Sequence, residues 1–590
     1  MLGLTGLSAC RSRGSQERFI LQKEPCRCLW MNLCARGDDS PTIETAAFHG
    51  LRPVQISKGF SIREEAVPLV PLTRILLVLL SAAFFVCSLP GPDIGWLGWV
   101  ALVPILLACE GLPALGACGL GLAFGIVSSF GIYGWLFEVT GFDLRHAVVL
   151  AFYVAIYPAV WCTAIAWFER RHVPFIVTAP ALWVIIDYLR AHAGFLALPW
   201  GTLAQTQHHN LPILQIASLG GEQAVTFLVA VGNAALASVI LRREQKTVVM
   251  AVIALAVVHL WGAAVLYNTP QGPGIKVTAI QPNIQIAERQ TGEGRAANLE
   301  RLEQLTHRAA SDHPVLIVWP ESAIPGDLNT DPSLVARLQG LSDEIGIPLI
   351  IGAARVEKFA TGMTDIRIGR RVFNTAYLLR PRQPVAEPYR KRVLVPFAEY
   401  LPYADLIPWP EWLAPRVAEM TQGDRNQLFR VLPDLTVGTL ICWENHFAPL
   451  ARQSVHGGVN LIVQLTNDVW FGRSAASHQH NLMSVMRAVE NRVPIVIASN
   501  TGPSQIIDGY GRVVAKVPNL FTEGLATETV NAGIGGTLYS AVGDFFVFCA
   551  LAGLGAFYAW RSASGTEQET SAVGLAAKRL GAELVCRRVL

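Results

Sequence analysis

Charge is what this chain has least of: 15% of its 590 residues are Asp, Glu, Lys or Arg against 52% hydrophobic, and the mean hydropathy is +0.38. So little charge over that length excludes an ordinary soluble protein and points to the membrane. An excess of either sign is lacking too, since the net charge is only +3. The basic residues fall in short scattered clusters, which excludes the continuous cationic face of a nucleic-acid binder. Cysteine is sparse where it would matter for pairing: nine of the eleven lie in the N-terminal stretch or in apolar segments, and Cys442 alone falls between Cys162 and Cys549. That distribution excludes a disulfide scaffold. No early apolar core is followed by a small-residue cleavage site, so no cleavable signal peptide is expected.

What is present in abundance is long apolar runs. They cover about 72–89, 95–109, 113–137, 146–168, 174–190, 211–241 and 247–267, with one more near 536–560. Each approaches the ~20 residues that cross a bilayer core as a helix. The sequence therefore predicts a polytopic α-helical bundle of eight spans, with seven over 72–267 and the eighth at 536–560. Residues 1–71 are irregular; Cys10, Cys26, Cys28 and Cys34 lack the paired C-x-x-C spacing of a metal knot, and a poorly ordered extension is expected. Short-loop basic residues, in "ERRH" (169–172), "RREQK" (242–246) and the tail over 561–590, mark the cytoplasmic side. By that parity both termini lie inside and residues 268–535 lie outside.

The outside segment is long enough for a domain with its own core. Short β-branched runs such as "IKVTAIQ" (275–281), "VLIVW" (315–319), "LTVGTLICW" (435–443) and "NLIVQLTN" (460–467) alternate with helical patterns. Such alternation predicts layered α/β structure, with strands apolar on both faces because both are covered.

Three of its segments carry polar residues at or near a strand end: "VWPES" with Glu321, "YRKRVLVPFAEYLP" with Lys391 and Glu399, and "ICWEN" with Cys442 and Glu444. A base for the thiol proton, a cation for thiolate and oxyanion, and a soft nucleophile are the parts that nucleophilic acyl transfer requires. Backbone N–H groups where the strand turns into a helix are expected to lower the Cys442 thiol pKa. A lone cysteine is more often a buried small hydrophobe. The external location weighs against that here, because an exposed thiol in an oxidising compartment needs a reason.

"WPES", "YRK" followed by "LVPFAEYLP", "ICWE", "LTNDVWFG", "RAVENR" and "SNTGPS" occur in the order of the motifs of the nitrilase, or carbon–nitrogen hydrolase, superfamily, which this chain resembles over about 72–560. Within it, the eight flanking spans with "LVPFAEYLP" and "NDVWFG" are similar to the apolipoprotein N-acyltransferase family. The resemblance implies a nitrilase-like αββα sandwich, with Glu321 as general base, Lys391 as oxyanion stabiliser and Cys442 as nucleophile. It further implies that Glu399 supports Lys391, and that Trp443 and Glu444 occupy positions the family also needs. Acyl transfer from a phospholipid, through a cysteine thioester, to the N-terminal amine of a diacylated apolipoprotein is the expected reaction. Neither cofactor nor metal is expected, and the protein is expected to be a monomer in the bacterial inner membrane with its catalytic domain periplasmic. The rival expectations are a membrane-bound amidase or nitrilase-type hydrolase, and a catalytically silent conjugal-transfer relative.

The chain departs from the family in four places, one of them "FLALPWGTLAQ" (195–205), which only loosely follows the usual loop. Arg289-Gln290 stands where Lys-Trp is usual, so the aromatic expected to line the acyl entrance is missing or supplied elsewhere. Ala398 stands where Gly is usual, which requires a negative φ there. Asp187 replaces the commoner Glu inside a nominal span, where structural pairing in the bundle interior is expected. Three other features call for structural readings. His478 and His480, two apart on a helix, cannot clamp one ion; His208 and His209 read as a solvated loop; "GLPALGACGLGLAFG" reads as a close-packing helix.

Overall fold

The computed structural model describes residues 70–171, 173–241, 245–270, 272–361, 367–413 and 418–563. The extension up to residue 69 and the tail from 564 lie outside the described residues. The apolar runs fold as helices, which satisfy their own backbone groups and so suit a medium without water. These are α1 (Pro71–Cys87), α2 (Val103–Cys109), α3 (Ala114–Ile132), α4 (Leu144–Glu169), α5 (Phe175–Ala191), α6 (Leu211–Leu214), α7 (Ala217–Ile240) and α8 (Gln245–Tyr267). Among the described residues five helices are long and apolar enough to cross a membrane: α3, α4, α7, α8 and a C-terminal helix at Phe545–Ala563. α1 and the segment Gly95–Cys109 are apolar but shorter. Large side chains such as Met250, Leu260, Phe548 and Leu551 are exposed on α8 and the C-terminal helix, an inside-out pattern that fits lipid contact.

Four of the expected spans are not continuous helices, among them the run at 113–137, where α3 gives way to a 3₁₀ turn at Gly134–Glu138. The run at 95–109 is a 3₁₀ turn (Gly95–Trp99) followed by α2. The run at 211–241 divides into α6 and α7, and α7 itself breaks its helical geometry at Gly220 and Gly221 (φ 70°). A β-carbon on Gly221 would lie 2.5 Å from the Tyr539 ring, so only glycine permits both this φ and this approach. The last run begins with a separate short helix at Leu538–Val542, which carries Tyr539 and ends at Gly543 (φ 66°).

Close packing governs the bundle. A β-carbon on Gly121 would lie 2.4 Å from the Pro158 carbonyl oxygen, and one on Gly125 would lie 2.4 Å from Cα of Ala155, so α3 meets α4 backbone to backbone. Asp187 is buried with Arg190 at 3.1 Å and accepts from Trp183 Nε1 at 3.0 Å, a structural pairing inside the bundle. His208 and His209 are not both solvated: Nε2 of each approaches Asp93, at 3.3 and 3.0 Å, and His208 is largely covered. The tight turn at "LPGPD" brings Asp93 there with φ 58°.

The segment after α8 builds two sheets. One comprises β1 (Gly274–Gln281), β2 (Leu316–Val318), β3 (Ile324–Asp327), β4 (Leu349–Thr361), β5 (Arg367–Leu379), β6 (Tyr389–Arg390) and β13 (Gly524–Asn531), in order β13-β1-β2-β4-β5-β6 with β3 also on β4. The other comprises β7 (Phe429–Leu432), β8 (Leu435–Ile441), β9 (Leu461–Thr466), β10 (Ile495–Ser499), β11 (Gln505–Ile507) and β12 (Val513–Lys516), in sequential order. Strands β1, β2 and β4 run parallel, as do β8, β9 and β10.

Alternation along the strands decides the layers. Val277, Ala279 and Val318 of one sheet meet Val437, Ile441 and Val463 of the other in a shared core. Their neighbours Ile280, Ile317 and Ile351 face outward onto Leu302, Leu305 and Leu338 of the two helices α9 (Gly292–Ala310) and α10 (Pro332–Ile345). Across the sandwich, Leu440, Ile462, Ile495 and Ile497 pack on Leu450, Met486 and Val489 of helices α11 (Ala448–His456) and α12 (Ala476–Asn491). That outer layer also takes in Leu214, Ala217 and Val225 of α6 and α7, so the sandwich and the helical bundle share one apolar core.

Replacing Gly125 by Val is expected to push α3 off α4 at a cost of about 1–3 kcal/mol. Gly119→Ala, on the same helix with open space around it, is expected to be neutral or mildly stabilising. Thermal unfolding of both variants in detergent checks the contrast.

Candidate active site

Parallel strands deliver polar residues from their C-terminal ends, the usual location of ligand crevices in α/β sheets. Glu321 follows β2 by three residues and Cys442 follows β8 directly. Gly352 of β4 makes room for the first: a β-carbon there would lie 2.4 Å from the Pro320 carbonyl oxygen and 2.8 Å from Cα of Glu321. Cys442 has φ 52°, a strained value for a residue with a side chain, held at the junction of β8 and the 3₁₀ turn Cys442–His446.

Lys391, right after β6, is 1% exposed and supplies the cation. Its Nζ donates to Glu399 Oε1 at 2.8 Å and lies 4.0 Å from Glu321 Oε1. Burial alone would lower its pKa, but the charges of Glu399, Cys442 and Glu321 outweigh that and hold it above its ordinary value, so Lys391 stays an ammonium. Glu399 is fixed in turn by the Val395 N–H at 2.8 Å. Burial raises the pKa of Glu321, against the opposing pull of Lys391, and its Oε1 accepts from Asn374 Nδ2 at 2.6 Å.

Cys442 differs from its sequence-based expectation. Burial and then the Glu321 carboxylate raise its pKa well above the ordinary thiol value, and Lys391 only partly offsets them. The turn that follows is five residues of 3₁₀ helix, too short to contribute much of a dipole. The resting sulfur is therefore a thiol, and attack requires a base at the moment of reaction. The strain at this position falls on Phe397 (φ 63°) rather than on its neighbour Ala398, so the alanine departure is tolerated.

Glu444 is fully buried and binds the site's segments together. It accepts from the backbone N–H groups of Arg392 (2.6 Å), Val393 (3.1 Å) and Ile441 (2.8 Å), and from the Tyr389 hydroxyl (2.8 Å). One carboxylate thereby locks the Lys391 strand to the Cys442 turn. Trp443 faces the bundle instead, stacking on His446 at 4.7 Å and near Trp200 at 6.2 Å. Trp200 stacks on His446 at 4.6 Å and donates Nε1 to Gln479 Oε1 at 2.8 Å, which docks the 195–205 loop onto the Cys442 turn.

Sequence reasoning missed Asn374, Tyr389 and Asp468 in particular. Asp468 is fully buried, accepts from Thr466, Ser499 and the His480 ring, and adds negative potential at Cys442. A buried Asp inside "LTNDVWFG", beside an apolar strand, was the signal available for it. His480 is buried on this Asp while His478 points to solvent, so the pair is divided between two faces of α12.

The sequence pattern of carbon-nitrogen hydrolases matches residues 276–537, and that of the apolipoprotein N-acyltransferase N-terminal domain matches residues 81–235. An apolipoprotein N-acyltransferase of Geobacter metallireducens is 34% identical over 82% of this chain and 94% of its own length. Another, of Bradyrhizobium diazoefficiens, is 30% identical over 70% of this chain and 77% of its own. The crystal structure of Saccharomyces cerevisiae Nit3, a member of branch 10 of the nitrilase superfamily, is 19% identical, covers 44% of this chain and 91% of its own, and has a TM-score of 0.33.

Alkylation of Cys442 by iodoacetamide is expected to be slow at neutral pH and to keep accelerating above pH ~9, the thiol lying above its ordinary range. Glu321→Gln removes a charge that raises the thiol and should shift the rate profile to lower pH. Lys391→Met removes one that lowers it and should shift the profile to higher pH. Mass-spectrometric alkylation rates across pH 6–11 read both displacements; an unchanged profile in both variants would contradict the electrostatic account.

Proposed function

The chain belongs to the apolipoprotein N-acyltransferase family, and from that premise we propose that it moves an acyl chain from a phospholipid, through a thioester on Cys442, to the N-terminal amine of a diacylated lipoprotein. The observation that carries the reading is the buried ammonium of Lys391, held between Glu399 and Glu321 and in electrostatic contact with the Cys442 sulfur. In the first step the thiol proton passes to Glu321 as sulfur attacks the ester carbonyl, and Lys391 stabilises the oxyanion. Collapse expels the lysophospholipid alkoxide, which takes that proton from Glu321. In the second step the acceptor amine attacks the thioester, Glu321 receives its proton, and the released thiolate is reprotonated. An amide-linked chain results.

A substrate bearing two acyl chains will not leave the bilayer, since each buried methylene is worth about 0.8 kcal/mol. A membrane-bound enzyme follows from that. We read eight crossings: α1, Gly95–Cys109, α3, α4, α5, α7, α8 and Phe545–Ala563, with the membrane domain over 72–267, the catalytic domain over 268–535 and a cytoplasmic tail after the last crossing. The basic loop after α7 lies one crossing, and the basic loop after α4 three crossings, from the end of α8 that joins the catalytic domain, an odd number in each case, which supports a catalytic domain on the periplasmic face of the inner membrane. Near the bundle, Phe195 meets Tyr403 at 5.6 Å and Trp409 at 6.3 Å, and Tyr403 and Leu406 are exposed, a surface suited to the headgroup level.

Incubation of the purified protein with phospholipid is expected to add one acyl mass to Cys442, discharged on addition of a diacylglyceryl-cysteine peptide, with no adduct in Cys442→Ala. Glu321→Gln should slow adduct formation by a factor on the order of 10²–10⁴. Intact-mass measurement reads both; free fatty acid released with no transfer to the peptide would identify a hydrolase instead.

A further inference from the structure

Two loops of the helical bundle bring together three metal-ligating side chains that acyl transfer does not use. Asp93 lies on the turn after α1, and His208 and His209 lie just before α6. Asp93 Oδ1 is 3.3 Å from His208 Nε2, Asp93 Oδ2 is 3.0 Å from His209 Nε2, and the ligand atoms of the three residues lie within 4.8 Å of one another. Two ligand atoms, each ~2.1 Å from a tetrahedral zinc ion, stand about 3.4 Å apart. Both carboxylate–imidazole spacings are therefore close to those of a coordination shell. His209, whose side chain is 73% exposed, has the freedom to close the remaining gap between the two rings.

The tautomer of His208 is an independent indication. Its Nδ1 lies 3.1 Å from the Gln205 carbonyl oxygen, which can only accept, so the ring proton sits on Nδ1 and Nε2 presents a lone pair. A carboxylate oxygen facing that lone pair repels it unless positive charge lies between them. A second ring proton would make His208 an imidazolium with the His209 ring centroid only 3.9 Å away. A divalent ion meets both rings and the carboxylate with one charge centre. A backbone carbonyl on the far ring nitrogen is also the kind of partner that orients metal-bound histidines.

The two loops are held in register without help from the ligands. Gln207 donates Nε2 to the Gly95 carbonyl at 3.0 Å and accepts from Trp99 Nε1 at 2.8 Å. A β-carbon on Gly95 would lie 2.6 Å from the Thr206 carbonyl oxygen, so the loops touch backbone to backbone. The Asp93 N–H donates to the Leu89 carbonyl at 3.0 Å. Ligands carried on such a frame lose little freedom when an ion binds.

We propose that Asp93, His208 and His209 bind one divalent transition-metal ion of the zinc class, through two imidazole Nε2 atoms and the carboxylate. Imidazole selects such ions over magnesium and calcium, which take oxygen ligands. Water completes the coordination on the exposed side. The ion acts as a clip and takes no part in the chemistry. It joins the turn after α1, whose Pro90 carbonyl accepts from Gln479 of α12 at 2.9 Å, to the loop that carries Trp200 onto the Cys442 turn.

The test uses the untagged full-length protein in detergent, stripped with EDTA and treated with N-ethylmaleimide so that thiolates do not compete. Calorimetric titration with zinc chloride at neutral pH should show saturable binding of one equivalent. Zinc should also raise the unfolding temperature, and magnesium should do neither. Asp93→Asn, and His209→Ala at an exposed position that the fold does not need, should each weaken zinc binding about tenfold or more and remove most of the thermal shift. His307→Ala, an exposed histidine on α9, should change neither. Failure to bind zinc, an affinity that both Asp93→Asn and His209→Ala leave unchanged, or one that His307→Ala lowers as far as they do, overturns the assignment. Magnesium binding as tightly as zinc marks oxygen ligands only and overturns it likewise. Binding and unfolding are read without acyl transfer, so either result leaves the reaction proposed above untouched.

Discussion

One ammonium between two carboxylates, closed off from water, is the constraint around which the site is arranged. Lys391 is almost fully buried, and a lone charge there would be prohibitively unfavourable. Glu399 at 2.8 Å makes the burial tolerable, and Glu321 at 4.0 Å remains free enough to exchange a proton. The unequal spacing gives the two acids different tasks. The closer one fixes the cation, and the farther one, its pKa raised by burial, is suited to act as a base toward a thiol whose own pKa is also raised. Glu321 accepts the proton as a carboxylate, the form that the Lys391 ammonium at 4.0 Å favours, so the thiol need not be ionised in advance.

Around that cluster the architecture controls position. Glu444 holds the Lys391 strand and the Cys442 turn through three backbone N–H groups and one hydroxyl, so a shift of either segment would break several charge-assisted bonds. A second buried network ties the domain to the bundle. Arg487 of α12 donates to Glu490 at 2.8 Å and to Glu222 of α7 at 3.0 Å, and the Glu222 N–H, just past the Gly220–Gly221 break, donates back to Glu490 at 2.9 Å. With the stacked Trp200, His446 and Trp443 rings, these contacts leave little freedom between the helices and the Cys442 turn.

Much of this was legible in the residues themselves. Apolar runs marked the helices because burial in lipid and helix length are one-dimensional properties, and Asp187 could be read as an interior residue for the same reason. Strand-end placement of Glu321, Lys391 and Cys442 followed from β-branched runs ending in polar residues. The breaks within the runs were not legible. Gly220–Gly221 looks like ordinary helix in sequence and becomes a break through packing on Tyr539, more than 300 residues away. His208 looked solvated because Asp93, its partner, lies across a different loop.

The sequence by itself determined the class of the protein, its alternation of lipid-facing and layered segments, and the kinds of group its chemistry employs, since these depend on composition and local period. Tertiary structure alone decided the unequal spacing of the two carboxylates about the lysine, 2.8 Å for Glu399 and 4.0 Å for Glu321, and that the thiol rests protonated. Those outcomes turn on distance and burial. Both arise only when strands far apart in the chain close over the same space, because electrostatic strength depends on what surrounds a charge and not on its place in the sequence.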